Sequence, residues 1–360
     1  MANLHYEQRM KNLLSLVAQQ GASDLHLVVG RYPTFRIDGK LVPMSQEGML
    51  TPADTTGLSD ALLDQKSKQE LLDEDQVDFS YNFEDKARFR TNIFFQKGYV
   101  SVTMRFVNNR IRRLEELDMP TGLYNFTKHT QGLVLVTGPV GHGKSTTLAA
   151  LIDAINRTQD KHIITIEDPI EYVYTQDRCI INQREVGKDA KSFSDALRAV
   201  FREDANIVLL GELRDLDTIS TAMTAAETGH LIFATLHTND SAQSIDRIID
   251  TFPAHQQNQI RSQLASVLVG VISQRLIPKI GGGRVPAVEV MLKNHAIENL
   301  IRENKSYQID SVIETSLSAG MVSLDRALAD LVQRGIVDVN DAFHYVKNRD
   351  YLNMLLSRHE

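Results

Sequence analysis

Residues 133–145 read LVLVTGPVGHGKS, and the text behind them, TTLAALIDAIN, is helical through Asn156. Strand, glycine-rich turn and helix in that order leave little freedom to the surrounding fold. Gly138, Gly141 and Gly143 let consecutive backbone N–H groups turn inward, and the helix N-terminus adds partial positive charge, so the turn is built to hold an anion. The spacing G-x-x-x-x-G-K-S narrows that anion to the phosphates of a nucleotide. Lys144 reaches the β/γ oxygens and the Ser145 hydroxyl can ligate Mg2+. Gly138, Pro139, Val140, Gly141, His142, Gly143 and Thr146 complete the binding set, with position 142 expected to contribute mainly its backbone N–H.

Short apolar runs of the same kind recur at 163–166, 207–210 and 231–235, each ending in a polar cluster. Strands apolar on both faces belong in a parallel sheet covered by helices. Between them, Phe193, Ala196, Leu197, Val200 and Phe201 fall on one helical face. The expectation is an α/β domain over 122–360, mostly helical from 257 onward, interrupted by Gly281-Gly282-Gly283 and a short run at 285–292. Residues 1–107 read otherwise. A helix over 6–20 stops at Gly21, and strands at 25–29 and 34–37 precede an Asp38-Gly39 hairpin turn. A helix near 58–72 leads into a meander of strands at 77–83, 88–96 and 99–107, the last two joined by Lys97-Gly98. That is a small α+β domain, and the charged stretch 108–121 is the expected linker. A chain of 360 residues has room for two such domains.

Two of the other apolar strands end in carboxylates, Glu167-Asp168-Pro169 after Ile166 and Gly211-Glu212 after Leu210. In a doubly wound sheet ligands bind at the carboxyl ends of the strands, so these acids face the same nucleotide. Hydrolysis needs one acid near the metal and another group to orient water. Glycine follows Leu210 where an aspartate is usual, so Glu212 is expected to approach the metal or its water shell. Water activation falls to Glu167 or Glu212, with the choice open. His237, at the end of the fourth strand that His230 precedes, either senses a γ-phosphate or bonds to a neighbouring loop. In the first domain, a Lys97-Gly98 turn sets Gln96 opposite Tyr99 and therefore Arg90 opposite Arg105. Like charges placed so destabilise a hairpin unless an anion or solvent counter-ions relieve them.

Composition bounds the partners. The 46 acidic and 39 basic residues give a net charge of -7, and no basic, aromatic-interleaved stretch is present, so a nucleic-acid partner is not expected. A single cysteine, Cys179, excludes an internal disulfide framework and a multi-cysteine zinc site. No apolar run is long enough to span a bilayer and no secretory signal is visible, so the expected location is cytoplasmic.

Several segments in order, SDLHL at 23–27, the glycine loop, IEDPIE at 166–171, INQREVG at 181–187, LLGELRD at 209–215, AETGHLIFATLHT at 226–238 and AIENLIRE at 296–303, resemble the secretion ATPases of the type II/type IV pilus superfamily. Within it they are most similar to the pilus retraction (twitching-motility) ATPases. The resemblance implies a RecA-like P-loop ATPase domain preceded by a PAS-like α+β domain, and a homo-hexameric ring hydrolysing ATP with Mg2+. It implies work on an inner-membrane pilus platform protein at the cytoplasmic face, alone or beside a second retraction ATPase. It also implies that Arg90 and Arg105 are arginine fingers and that His230 and His237 are functional. The absence of a tetracysteine insertion favours retraction over assembly or secretion. Two departures stand out: Glu298 where the pattern has arginine, and His142 where serine is common. The first leaves room for an accessory retraction ATPase; a RecA-type nucleic-acid motor is the competing class.

Overall fold

The computed structural model describes residues 2–37, 39–83, 87–107 and 110–357. Its contacts divide the chain into two units, Met1–Arg110 with Pro169–Val173, and Ile111–Asp168 with Tyr174–Glu360.

The first unit contains α1 (Ala2–Gln19), β1 (Asp24–Leu27), β2 (Thr34–Ile37), β3 (Lys40–Pro43), α2 (Pro52–Asp60), α3 (Gln65–Glu74), β4 (Gln76–Phe83), β5 (Ala87–Gln96) and β6 (Tyr99–Val107). Its sheet runs β3-β2-β1-β6-β5-β4 with every pairing antiparallel. Alternation sends Phe89, Ile93, Val102 and Met104 to one face, where they bury against Leu13, Leu14 and Val17 of α1 and Leu58 of α2. Lys97 and Gly98, at φ of 51° and 78°, make the turn that fixes the β5–β6 register. Asp38 of the expected β2–β3 turn, and Asn108 and Asn109 of the expected linker, lie outside the described residues. The single helix expected near 58–72 is two. The Asp64 side chain accepts from the Ser67 N–H and starts α3 afresh, while buried Leu58, Leu62 and Leu71 carry the apolar spacing across the break.

The second unit is built on β7 (Gly132–Thr137), β8 (His162–Glu167), β9 (Ile180–Glu185), β10 (Ile207–Leu210), β11 (Leu231–Leu236), β12 (Leu268–Pro278) and β13 (Arg284–Leu292). The order is β13-β12-β7-β11-β10-β8-β9, parallel except for the antiparallel β13. Helices α4 (Lys144–Thr158), α5 (Phe193–Val200), α6 (Leu216–Glu227), α7 (Ser241–Asp250), α8 (Gln257–Val267) and α9 (His295–Arg302) accompany the sheet, and α10 (Ile309–Thr315), α11 (Leu324–Gln333), α12 (Val339–Phe343) and α13 (Arg349–Ser357) follow. Every residue of β7, β10 and β11 is buried, as the unbroken apolar runs require.

The expectation of helix from 257 onward fails at 268–278. That stretch is β12, paired in parallel with β7 and antiparallel with β13. Gly270 permits the pairing, since a Cβ there would lie 2.4 Å from the Met291 carbonyl oxygen and 2.7 Å from the Phe126 ring. A second core joins Ile277, Val285 and Ala287 of these strands to Leu324, Leu328, Val337 and Leu352 of the C-terminal helices. Among the described residues no helix is long and apolar enough to cross a membrane.

Candidate active site

The carboxyl ends of β7, β11, β10 and β8 meet on one edge of the second unit's sheet, because Thr137 is level with Leu236, and Leu210 with both Ala234 and Ile166. Residues leaving those strands are therefore brought together. Gly138, Pro139, Val140, Gly141, His142 and Gly143 leave β7 and turn into α4. Gly138, Gly141 and Gly143 take φ of 143°, 76° and 83°, which L side chains resist. Lys144 is almost buried and folds back over the loop, donating to the carbonyls of Gly138 at 2.9 Å and Pro139 at 3.1 Å.

The same ammonium lies 3.2 Å from His237 Nδ1. An ammonium can only donate, so Nδ1 accepts and the ring proton sits on Nε2. That nitrogen is 3.3 Å from Glu212 Oε2, which also takes Arg214 at 2.8 Å. Lys144, His237 and Glu212 thus form one continuous polar chain from the glycine loop to the end of β10. Burial alone would raise the Glu212 carboxyl, but the hydrogen bond and charge of Arg214 and the hydrogen bond from His237 outweigh it and hold the group below the usual range. Glu167, also buried, accepts from the Thr165 hydroxyl at 2.6 Å and the Gln183 amide at 3.4 Å. Gly211 explains why no aspartate ends β10. A Cβ at 211 would press on the Glu167 Cα at 3.3 Å, so glycine lets the ends of β8 and β10 close up.

The donor set suits Mg2+. The Ser145 hydroxyl has no hydrogen-bond partner among the described residues, and no cluster of three acidic, histidine or cysteine groups forms a metal cage there. A hard, hydrated cation held by one hydroxyl and phosphate oxygens needs none. Beside Gly143, Thr146 and Thr147 a cavity of about 290 Å3 opens, walled by Arg112, Met119 and Arg284. Its size and mixed polarity fit a nucleoside.

Three expected site residues lie elsewhere. His230 precedes β11, at the sheet edge opposite the glycine loop; its Nδ1 lies 3.1 Å from the Ala225 carbonyl and its ring meets Phe201 edge-on. Arg90 and Arg105 belong to the first unit and pair directly across β5 and β6. Arg105 also holds the buried Asp24 at 2.9 Å, whereas Arg90 has no hydrogen bond or ion pair among the described residues.

Two features were not read from the sequence. Gln274 of β12, 2% exposed, donates to the His142 carbonyl at 2.6 Å and accepts from the Thr147 hydroxyl at 2.7 Å, bracing both arms of the loop. The His142 side chain is also engaged: its Nδ1 accepts from the Leu276 N–H at 2.9 Å, so the position contributes more than a backbone donor. Recognising 268–278 as a strand beside β7 is the signal that would have exposed both.

Comparison with known proteins agrees with this architecture. The family described as type II/IV secretion system protein matches residues 4–284. The type IV pilus retraction ATPase PilT of Pseudomonas aeruginosa is 46% identical over 92% of this chain and 96% of its own length. The type IV pilus ATPase PilU of the same organism is 33% identical over 96% of this chain and 91% of its own. A crystal structure of the pilus retraction motor PilT with bound ADP superposes with a TM-score of 0.90 at 45% identity, covering 96% of this chain and 98% of that one. With the glycine loop, the carboxylates and the sheet order in place, this chain is a member of the type II/IV secretion system ATPase family.

Proposed function

We propose that this protein is a motor ATPase that drives retraction of type IV pili. The observation that carries the reading is the chain Lys144–His237–Glu212, which joins the phosphate-binding loop to a carboxylate on a neighbouring strand in a protein 46% identical to a retraction ATPase. The relative named PilU is more distant, at 33%, so the primary retraction role is preferred to an accessory one. Residues 1–107 serve as the PAS-like N-terminal domain, 108–121 as the linker and 122–360 as the RecA-like motor domain with its helical C-terminal region. In that assignment the chain works as a homo-hexamer against a membrane platform protein at the cytoplasmic face.

The loop N–H groups and Lys144 hold the triphosphate, and His237 reports on its far end. Ser145 and Glu212 are the residues that would hold Mg2+, which when bound would supply positive charge against the phosphates. Glu212 is held as the carboxylate by Arg214 and His237, which suits it to the water shell of the metal, and the orientation of the attacking water is assigned to Glu167, buried at the end of β8. Lys144→Ala should weaken nucleotide binding, whereas Glu167→Gln should leave ATP bound but slow its cleavage by about 100-fold or more. Phosphate release with Mg2+, with and without DNA, measures this. Undiminished turnover by Lys144→Ala excludes the ATPase reading, and DNA-stimulated turnover would favour a nucleic-acid motor. Loss of pilus retraction in cells carrying Lys144→Ala tests the motor assignment.

A further inference from the structure

β12 outruns its parallel neighbour. The β7 pairing ends at Thr137 opposite Ser273, yet β12 continues to Pro278. An unpaired strand edge needs partners for its backbone groups. The glycine loop supplies them. Gly138 runs so close to β12 that a Cβ would lie 2.5 Å from the Gln274 carbonyl oxygen. One step on, Gln274 Nε2 holds the His142 carbonyl, and two residues later the Leu276 N–H donates to His142 Nδ1. The imidazole therefore stands where a backbone carbonyl of a longer β7 would stand.

We infer that His142 is a positioning residue whose neutral imidazole, by accepting from Leu276, fastens the glycine loop to β12 in the shape that binds nucleotide. Resting on the ATPase reading, this adds a dependence on the protonation of one ring nitrogen. Nδ1 accepts only while it carries no proton; a second proton sets donor against donor and frees the loop from the strand. The charged groups facing the ring are Arg275 of β12, Arg284 of β13 and Lys144 of α4, all cationic. Burial pushes the imidazole below its ordinary value, and those three cations push it the same way, so the fastened form prevails at neutral pH.

The test is the dissociation constant for ADP, measured by calorimetry with Mg2+ at about pH 8 and about pH 5.5, on the parent protein, His142→Asn and His142→Ala. Asparagine places Oδ1 near the position of Nδ1 and never titrates. At the higher pH, His142→Ala should bind about tenfold more weakly than the parent, and His142→Asn within about threefold of it. On acidification the parent should lose affinity relative to His142→Asn, whose profile carries every other pH effect in common, including protonation of the nucleotide. The loss should appear in affinity and KM rather than in kcat. Parallel pH profiles for the parent and His142→Asn overturn the inference, as does parent-like affinity in His142→Ala. Because the deciding comparison is the parent against His142→Asn, a poorly folding alanine variant does not decide the matter. Failure of the parent to bind ADP at pH 8, or binding that survives Lys144→Ala, overturns the ATPase reading and this inference with it.

Discussion

Gly138 shows how little latitude a single residue has at the nucleotide site. Its φ of 143° is disfavoured for any L side chain, and a Cβ would meet the Gln274 carbonyl oxygen at 2.5 Å. The obstruction is backbone in a central strand, so neither partner can swing away. Gly138→Ala is expected to cost about 3 kcal/mol of stability and to abolish nucleotide binding. Urea unfolding and ADP titration measure the two effects, and a variant matching the parent in both would show that the loop does not take this path. Residues of this kind were legible in the sequence because their chemistry is local: Gly138, Gly143, Lys144 and Ser145 lie within eight positions. Gln274 was not, because its contacts with His142 and Thr147 span 132 and 127 residues. Nothing near 274 announces a role, and the glutamine acquires one only when β12 is laid beside β7. His237 lies between these cases, since its place at the end of a strand was legible but its contact with Lys144 was not.

At the scale of elements, an ammonium adds to the apolar core that joins the C-terminal region to the sheet. Lys347 Nζ lies 2.9 Å from Glu289 of β13, 3.1 Å from Asp310 of α10 and 3.4 Å from Asp240, which caps α7 directly after the His237 loop. Burial alone would lower the lysine; Glu289, Asp240 and Asp310 outweigh it and hold the ammonium well above its usual range. A raised lysine contributes stability that is complete below its unfolded value near pH 10.4 and is lost only as pH rises through the folded one. The Lys347 ammonium therefore adds no pH dependence in the neutral range. Lys347→Met leaves Glu289, 2% exposed at its side chain, without its cation and should destabilise the second unit by about 3 kcal/mol. Calorimetry checks this, and an unchanged melting temperature would mean that the carboxylates find other partners. The sequence disclosed β7, β8, β10 and β11 by short unbroken apolar runs that end in polar clusters, and the meander by its alternation. It concealed β12, where Leu268, Val271, Ile272 and Leu276 keep helical spacing directly after α8 with no breaker between. Unbroken burial over 270–274 of β12 removes the alternation that would have marked a strand.

At the scale of the whole molecule, the proposed catalytic residues include two arginines that belong to the first unit. Arg36, Asp24, Arg105 and Arg90 stand side by side across β2, β1, β6 and β5, three cations against one carboxylate in a chain of net charge -7. Asp24 satisfies Arg105 and reaches Arg36 at 3.6 Å, which leaves Arg90 as the guanidinium of the row without an anion among the described residues. In the proposed ring that anion is the triphosphate on a neighbouring protomer, where an arginine stabilises transition-state charge. Arg90→Ala is the cleaner probe, because Arg105→Ala would also strip a buried aspartate of its ion pair. Alone, Arg90→Ala should lose most ATPase activity while still binding nucleotide, and Lys144→Ala should be inactive. Mixed in equal amounts before ring assembly, the two chains place an intact loop against an intact arginine at about one interface in four, so independent interfaces would return about a quarter of the parent rate. An arginine acting within its own protomer gives a different result. Every chain in the mixture then lacks either its loop lysine or its arginine, and no ratio restores turnover. Activity measured across mixing ratios, in rings shown by mass to contain both chains, therefore decides between the two arrangements.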